Sequence, residues 1–359
     1  MSRIVTVYSP ERRSARLVEM GFIRWYRISA ALAALGHTVD IASAEWFLRW
    51  RRPPARTGRG PWIVPIASVR WNSYDVIKTL FHAGFENLRR RGGAGHPFII
   101  AKLGSVVGPE DMDGILFHGR QREQLYRVQA ALNETARYVT LLSEPAAQLW
   151  QQCFAQQAEL LLVPGAVDAD IPGPRVDPYP RDGRVPCVFA GNFYHSTRRS
   201  QPEAHRSLAE RLNRLGRALL ARGAQLYVVG PGDRRSLDPR FVRYCGAVSY
   251  EASWDYLHFA AVGLVITAAG PMHNNESSKI YHYLRAGLPV VSEAGFPNDD
   301  VVRHSGLGWV VENGDLEGMA DRVLEAAHAS WDRAAGIRYI LDHHTWEKRA
   351  LVYDRILPK

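Results

Sequence analysis

The stretch Asn274-Asn275-Glu276-Ser277-Ser278-Lys279-Ile280-Tyr281-His282-Tyr283-Leu284-Arg285-Ala286-Gly287-Leu288-Pro289-Val290-Val291 marks both ends of a short helix and the strand that follows it. Polar residues suited to N-caps lead in, Gly287 supplies a left-handed stop, and Pro289 opens an apolar run. The pattern predicts a helix over 278–286 and a buried strand over 289–292. A helix that starts this way offers free backbone N–H groups at its first turn, the positive end of its dipole and the Lys279 ammonium, which together suit a diphosphate. His282 lies one turn beyond Lys279 on the same face, and Glu276 one turn before it. An ordinary capped surface helix has the same local features.

Outward from this stretch the same grammar repeats. Toward the C-terminus and back to residue 185, strands are expected at 185–190, 225–229, 242–245, 263–267 and 308–312, with helices at 203–222, 253–259 and 316–329. The first half carries strands at 4–9, 38–42, 97–101, 115–117, 138–142 and 160–163, with helices at 22–35, 121–134 and 145–154. Strands alternating with helices at this spacing are βαβ units, and βαβ units build parallel sheets. Between the halves, Pro172 to Pro186 holds five prolines and two glycines, so it reads as a linker. The expected division is 1–171, a linker at 172–184, a second domain at 185–335, and a tail at 336–359. In that tail Thr345 can cap a helix whose apolar stripe runs through Trp346, Ala350, Tyr353 and Leu357.

The order of these motifs resembles group 1 glycosyltransferases of the GT-B fold. The Lys279 helix with Gly287-Leu288-Pro289-Val290-Val291 is similar to their donor-site segment. Leu141-Leu142-Ser143 and Val163-Pro164-Gly165-Ala166-Val167-Asp168 resemble the end of their N-terminal domain. Val188-Phe189-Ala190-Gly191-Asn192, Tyr227-Val228-Val229-Gly230 and Cys245-Gly246-Ala247-Val248 resemble strand ends of their nucleotide domain, and Trp346-Glu347-Lys348-Arg349 the start of their last helix. The resemblance implies an α/β protein of two Rossmann-like domains, parallel sheets facing across a cleft, with the C-terminal helix crossing back to the N-terminal domain.

For the donor, it implies Arg198 with its neighbour Arg199 on the diphosphate, Asn192 where an arginine is common, Gly230 at the turn facing the donor, and Val248 and Ser249 beside the base. The paired-glutamate signature of the family is missing, Asn274 and His282 standing at its positions, and Glu276 is the displaced acidic candidate. Lys279 sits where bacterial exopolysaccharide glucuronosyltransferases carry a phosphate-binding lysine. Those enzymes invert and most group 1 members retain, so the stereochemistry stays open. An inverting route needs a base on the acceptor side. His118 resembles the acceptor-side histidine, with Glu123 and Asp75 as fallbacks.

The 359 residues carry a formal charge of +9, yet the first 100 alone carry 16 basic and 6 acidic side chains, and the remaining 259 sum to −1. The surplus therefore belongs to the acceptor half. Arg12 and Arg13, and the run Trp46-Phe47-Leu48-Arg49-Trp50-Arg51-Arg52, fit a surface that meets an anionic acceptor or membrane. Arginines among aromatics also suit nucleic acid, but no recognition motif accompanies them. Asp168-Ala169-Asp170 spells a DxD metal motif out of its usual context, and His343-His344 has no companions at metal spacing, so neither a metal nor another cofactor is expected. Gly230-Pro231-Gly232 lacks the third glycine of a dinucleotide fingerprint. Three scattered cysteines and a start without an apolar signal region point to the cytoplasm, and any contact with the inner face of a membrane would be peripheral.

The expected activity is transfer of a sugar from a nucleotide sugar, UDP being the commonest base in look-alikes, to a saccharide or lipid-linked saccharide in cell-surface glycan synthesis. Alternatives are a small natural-product acceptor, or a non-catalytic relative that binds a nucleotide or an anionic surface.

Overall fold

The computed structural model describes residues 1–8, 20–43, 60–108, 117, 119–191, 202–268 and 275–358. The chain divides into two compact units, one of Met1–Pro109, Gly119–Asp168 and Thr345–Lys359, the other built on Ala169–His344. No helix among the described residues is long and apolar enough to cross a membrane.

The first unit contains β1 (Arg3–Val7), α1 (Met20–Ala34), β2 (Thr38–Ser43), β3 (Trp62–Pro65), β4 (Val76–Leu80), α2 (Phe81–Arg90), β5 (Ile99–Lys102), α3 (Gly119–Thr135), β6 (Tyr138–Leu141), α4 (Glu144–Cys153), β7 (Glu159–Leu162) and, from the far end of the chain, α11 (Trp346–Asp354). Its seven strands are parallel in the order β3-β2-β1-β4-β5-β6-β7. The order reverses between β1 and β4, and the crevice beyond the carboxyl ends at such a reversal is where open α/β sheets receive ligands. One core contains Val5, Ile77, Phe85, Leu132 and Trp150. Another contains Ile4, Leu32, Ile100, Trp346 and Tyr353. Gly36 ends α1 at φ 103°, with the His37 N–H reaching the Leu32 carbonyl and the Gly36 N–H the Ala33 carbonyl, the double bond that a left-handed glycine permits. Thr345 caps α11, and the Arg349 guanidinium bonds the Pro164 and Gly165 carbonyls, tying the tail to the segment after β7.

Three of these elements, β3, β4 and α2, escape a reading by periodicity. β4 reads Val-Ile-Lys-Thr-Leu, and the Lys78 in its middle breaks the apolar run expected of a doubly covered strand, although Lys78 is only 2% exposed. α2 opens on Phe81 at φ +58°, a left-handed conformation rare outside glycine. Of the strand expected at 115–117, only Phe117 falls within the described residues, and it is not in a strand.

The second unit contains β8 (Val185–Ala190), α5 (Pro202–Ala221), β9 (Ala224–Val229), β10 (Val242–Gly246), α6 (Tyr250–Phe259), β11 (Val262–Val265), α7 (Ser278–Arg285), β12 (Val290–Glu293), α8 (Asp300–Ser305), β13 (Gly308–Val311), α9 (Leu316–His328) and α10 (Arg333–His343). Six parallel strands run β10-β9-β8-β11-β12-β13, so the reversal falls between β8 and β11. Its core joins Phe189, Leu212, Leu226, Leu264, Val291 and Met319. Residues 172–184 form neither helix nor strand and are anchored within this unit. Arg175 pairs with Asp255 at 2.9 Å, and the Tyr179 hydroxyl donates to the Tyr256 carbonyl at 2.7 Å.

Candidate active site

The carboxyl edge of the second sheet is shaped first by glycine. β8 exits through Gly191 at φ +151° and β9 through Gly230 at φ +139°. A Cβ on Gly230 would stand 2.2 Å from the Gly191 carbonyl oxygen, so the two turns touch backbone to backbone. The Gly191 N–H bonds the Val229 carbonyl at 2.7 Å and the Gly230 N–H the Gly246 carbonyl at 2.8 Å, which levels the three strand ends.

α7 is set beside this edge. The Tyr283 hydroxyl accepts from the Ala190 N–H at 2.7 Å, and the ring fills the space left by Gly263, where a Cβ would come within 2.5 Å of it. Gly287 closes the helix at φ +70°, with the Leu288 N–H on the Tyr283 carbonyl. At the other end Asn298 clamps the residue before the helix from both sides, accepting from the Ser277 N–H at 2.9 Å and donating to the Ser277 carbonyl at 3.0 Å. Nothing in the spacing of the sequence connects Asn298 with Ser277, so this support is visible only in three dimensions.

Ser277 does not cap α7, and its buried Oγ has no partner among the described residues. The helix start thus presents a buried hydroxyl with no partner among the described residues, beside the first-turn N–H groups of Ser278 and Lys279 that the geometry of a helix leaves without an intrahelical acceptor. Lys279 reaches over them toward β8. Its Nζ lies 4.6 Å from the centre of the Phe189 ring, and its stem fills the place a side chain on Gly191 would need, 2.8 Å from Cε. Burial pushes this ammonium down to about 8. Gly191, Gly230, Lys279 and the start of α7 therefore converge where the order of the second sheet reverses.

The other expected residues are placed as follows. The Glu276 carboxylate, 9% exposed, accepts from the Tyr281 hydroxyl at 2.9 Å. His282 Nδ1 donates to the Ser278 carbonyl at 2.8 Å, and its ring packs 5.6 Å from that of Trp254, on the α6 side of the helix. The Ser249 hydroxyl caps α6 by accepting from the Ala252 N–H, and half-buried Val248 precedes it at the exit of β10. Asp168 of the DxD triplet pairs with Arg27 at 3.1 Å. His118, Asn192, Arg198, Arg199, Arg12, Arg13, Trp46, Trp50, Arg51 and Arg52 lie outside the described residues.

Residues 186–328 match the family model described as glycosyl transferases group 1. The second unit is a group 1 glycosyltransferase domain. No curated protein sequence matches the chain. Among solved structures, the glycosyltransferase resembles sucrose-phosphate synthase from Thermosynechococcus elongatus with a TM-score of 0.73 at 14% identity, covering 99% of this chain and 98% of that one. HepE of Anabaena in complex with UDP superposes with a TM-score of 0.67 at 11% identity, over 99% of each chain. AviGT4, a glycosyltransferase involved in avilamycin A biosynthesis, gives 0.61 at 15% identity, over 99% and 96%. The likeness spans both units, and the fold of this glycosyltransferase is GT-B.

Proposed function

We propose that the enzyme takes its sugar from a UDP-sugar whose diphosphate sits at the start of α7, and passes it to a saccharide or lipid-linked saccharide in cell-surface glycan synthesis. The observation that carries the donor reading is the convergence of Lys279, the unpaired Ser277 Oγ and the free start of α7 on the Gly191–Gly230 contact. UDP and UDP-glucose are the molecules bound in the HepE structures, which supports this choice of nucleotide. The acceptor class rests on charge, since the +10 of the first 100 residues favours an anionic acceptor, or a membrane that presents one.

In this reading the chemistry is limited by the negative charge that gathers on the departing diphosphate. Lys279 and the α7 N–H groups stabilise it, with Arg198, Arg199 and Asn192 assigned beside them. Gly230, Val248 and Ser249 border the nucleotide. Ser277 donates to a phosphate oxygen, Ser278 offers its backbone, His282 orients the helix through Ser278, and Glu276 is the acidic partner. The sequence gives the acceptor-side base to His118, and no metal is required by this scheme.

A charge-assisted hydrogen bond contributes about 1.5–3 kcal/mol, so Lys279→Met is expected to slow turnover of UDP-glucose, or of whichever UDP-hexose the enzyme uses, roughly 10- to 150-fold. Steady-state release of UDP measures it. Turnover within threefold of wild type would remove Lys279 from the diphosphate.

A further inference from the structure

Ser143, Ser249 and Thr345 stand before α4, α6 and α11 at ψ 162–163°, and each side chain accepts from the backbone N–H three residues on. Ser277 stands before α7 at φ −89° and ψ 106° and caps nothing. The residue is 5% exposed, and its buried hydroxyl has no partner among the described residues. An unpaired hydroxyl is costly to bury, and the bare helix start beside it is the partner that a serine in this place ordinarily takes.

Asn298 accounts for the difference. Its amide accepts from the Ser277 N–H at 2.9 Å and donates to the Ser277 carbonyl at 3.0 Å. The first of these groups belongs to the peptide before the Ser277 Cα and the second to the peptide after it, so one planar side chain sets both peptides, and with them φ and ψ. Flipping the amide would put donor against donor and acceptor against acceptor, which leaves a single orientation. Asn298 is itself held, 2% exposed, in the turn between β12 and α8. The Val301 N–H bonds its carbonyl at 3.3 Å, the Asp299 carboxylate accepts from the Gly295 N–H at 3.2 Å, and the Ala294 N–H ties the turn to the Val311 carbonyl of β13 at 2.8 Å. All of these residues belong to the second unit.

We infer that Asn298 is a positioning residue of the donor site, which holds Ser277 off the capping conformation so that its hydroxyl is left for the diphosphate. Without the clamp Ser277 turns its hydroxyl onto the first turn of its own helix, and the ligand loses that donor. Because the conformation is set on folding, binding gives up no freedom there.

This role rests on the donor reading, and the experiment separates the two. UDP and uridine are titrated calorimetrically into wild type, Ser277→Ala, Asn298→Ala, the double variant and Lys279→Met. Ser277→Ala and Asn298→Ala are each expected to weaken UDP binding about tenfold with uridine affinity unchanged. Since Asn298 acts through Ser277, the double variant is expected to lie within threefold of Ser277→Ala. A residue that only supported the fold would weaken UDP and uridine together, and its effect would multiply with that of Ser277→Ala. Asn298→Ser, which leaves less of the buried space empty, is read in the same way where the alanine variant does not fold. With UDP binding weakened by Lys279→Met, the role of Asn298 alone is overturned by UDP affinity within threefold of wild type in Ser277→Ala or in the Asn298 variants, by a parallel fall in uridine affinity, by a double variant whose loss is the product of the single losses, or by failure of both Asn298 variants to fold. Absence of UDP binding by the wild type, or unchanged UDP affinity in Lys279→Met, would instead overturn the donor reading beneath it.

Discussion

A Lys78→Met variant is expected to be more stable than the wild type by about 2–4 kcal/mol near pH 7, and no more stable than it above about pH 10.5. Lys78 lies in β4 with its Nζ 4.8 Å from the centre of the Tyr353 ring, and burial pushes its ammonium down to about 7. In the unfolded chain the same group titrates near its ordinary value of about 10.4. Between those values the unfolded state holds a proton that the folded state lacks, so folding loses about 1.4 kcal/mol for each unit the pH falls. Below pH 7 both states are protonated and the deficit is constant. Above the upper value both are neutral and it vanishes. The Tyr353 ring returns on the order of 2 kcal/mol to the charged form, which sets the lower bound of the gain. Methionine matches the stem without the charge. Urea unfolding of both proteins at pH 7 and pH 10.5 measures the difference, and equal stability at pH 7 would contradict the burial of Lys78.

Glu293→Ala should cost about 3–5 kcal/mol and loosen the edge that carries the donor site. The fully buried Glu293 carboxylate pairs with the Arg211 guanidinium, accepts from the Thr267 N–H at 2.8 Å and from its hydroxyl at 3.2 Å, and accepts from the Gly314 N–H at 3.0 Å. One side chain thereby staples the exits of β11, β12 and β13, and the chain runs on from Thr267 to α7. Alanine strands a buried guanidinium and two backbone donors. Arg211→Met combined with Glu293→Gln keeps an acceptor for one of the two N–H groups and removes the orphaned charge, so the double variant should recover part of the loss. Thermal unfolding of the two variants separates an ion pair that supports the edge from a side chain that only fills space. A single variant within about 1 kcal/mol of wild type would mean that the staple is idle.

Lys78 and Glu293 also show where sequence and structure part. α7 was readable because its information is local: Gly287 takes the positive φ it was expected to take, and Val290 to Glu293 follow as a buried strand. The tail was readable for the same reason, with Thr345 capping the helix and Trp346, Ala350 and Tyr353 buried on one face. β4 was not, because a buried lysine is paid for by a ring 275 residues away in sequence. α2 was not, because its first residue takes a conformation that phenylalanine seldom adopts. Within the site, Lys279 and Gly230 announce themselves through motif and spacing. Asn298 holds Ser277 across 21 residues, and no periodicity encodes such a pair. The orphaned Ser277 hydroxyl is likewise a fact of packing, since a serine before a helix reads as a cap and here does not cap.

The central claim, that the start of α7 holds the diphosphate of a nucleotide sugar, is tested most directly by calorimetric titration of UDP and of uridine into wild type and Lys279→Met at pH 7 and pH 9.5. Lys279 titrates at about 8 in the free enzyme, and an anion binds its protonated form, so UDP affinity should hold below that value and fall above it. The expected result is a wild type that binds UDP more tightly at pH 7 than at pH 9.5. The variant should bind UDP about 10-fold or more weakly at pH 7 and lose most of the pH dependence, with uridine affinity the same in both proteins. UDP affinity that is unchanged by the substitution, or that falls in step with uridine affinity, would contradict it.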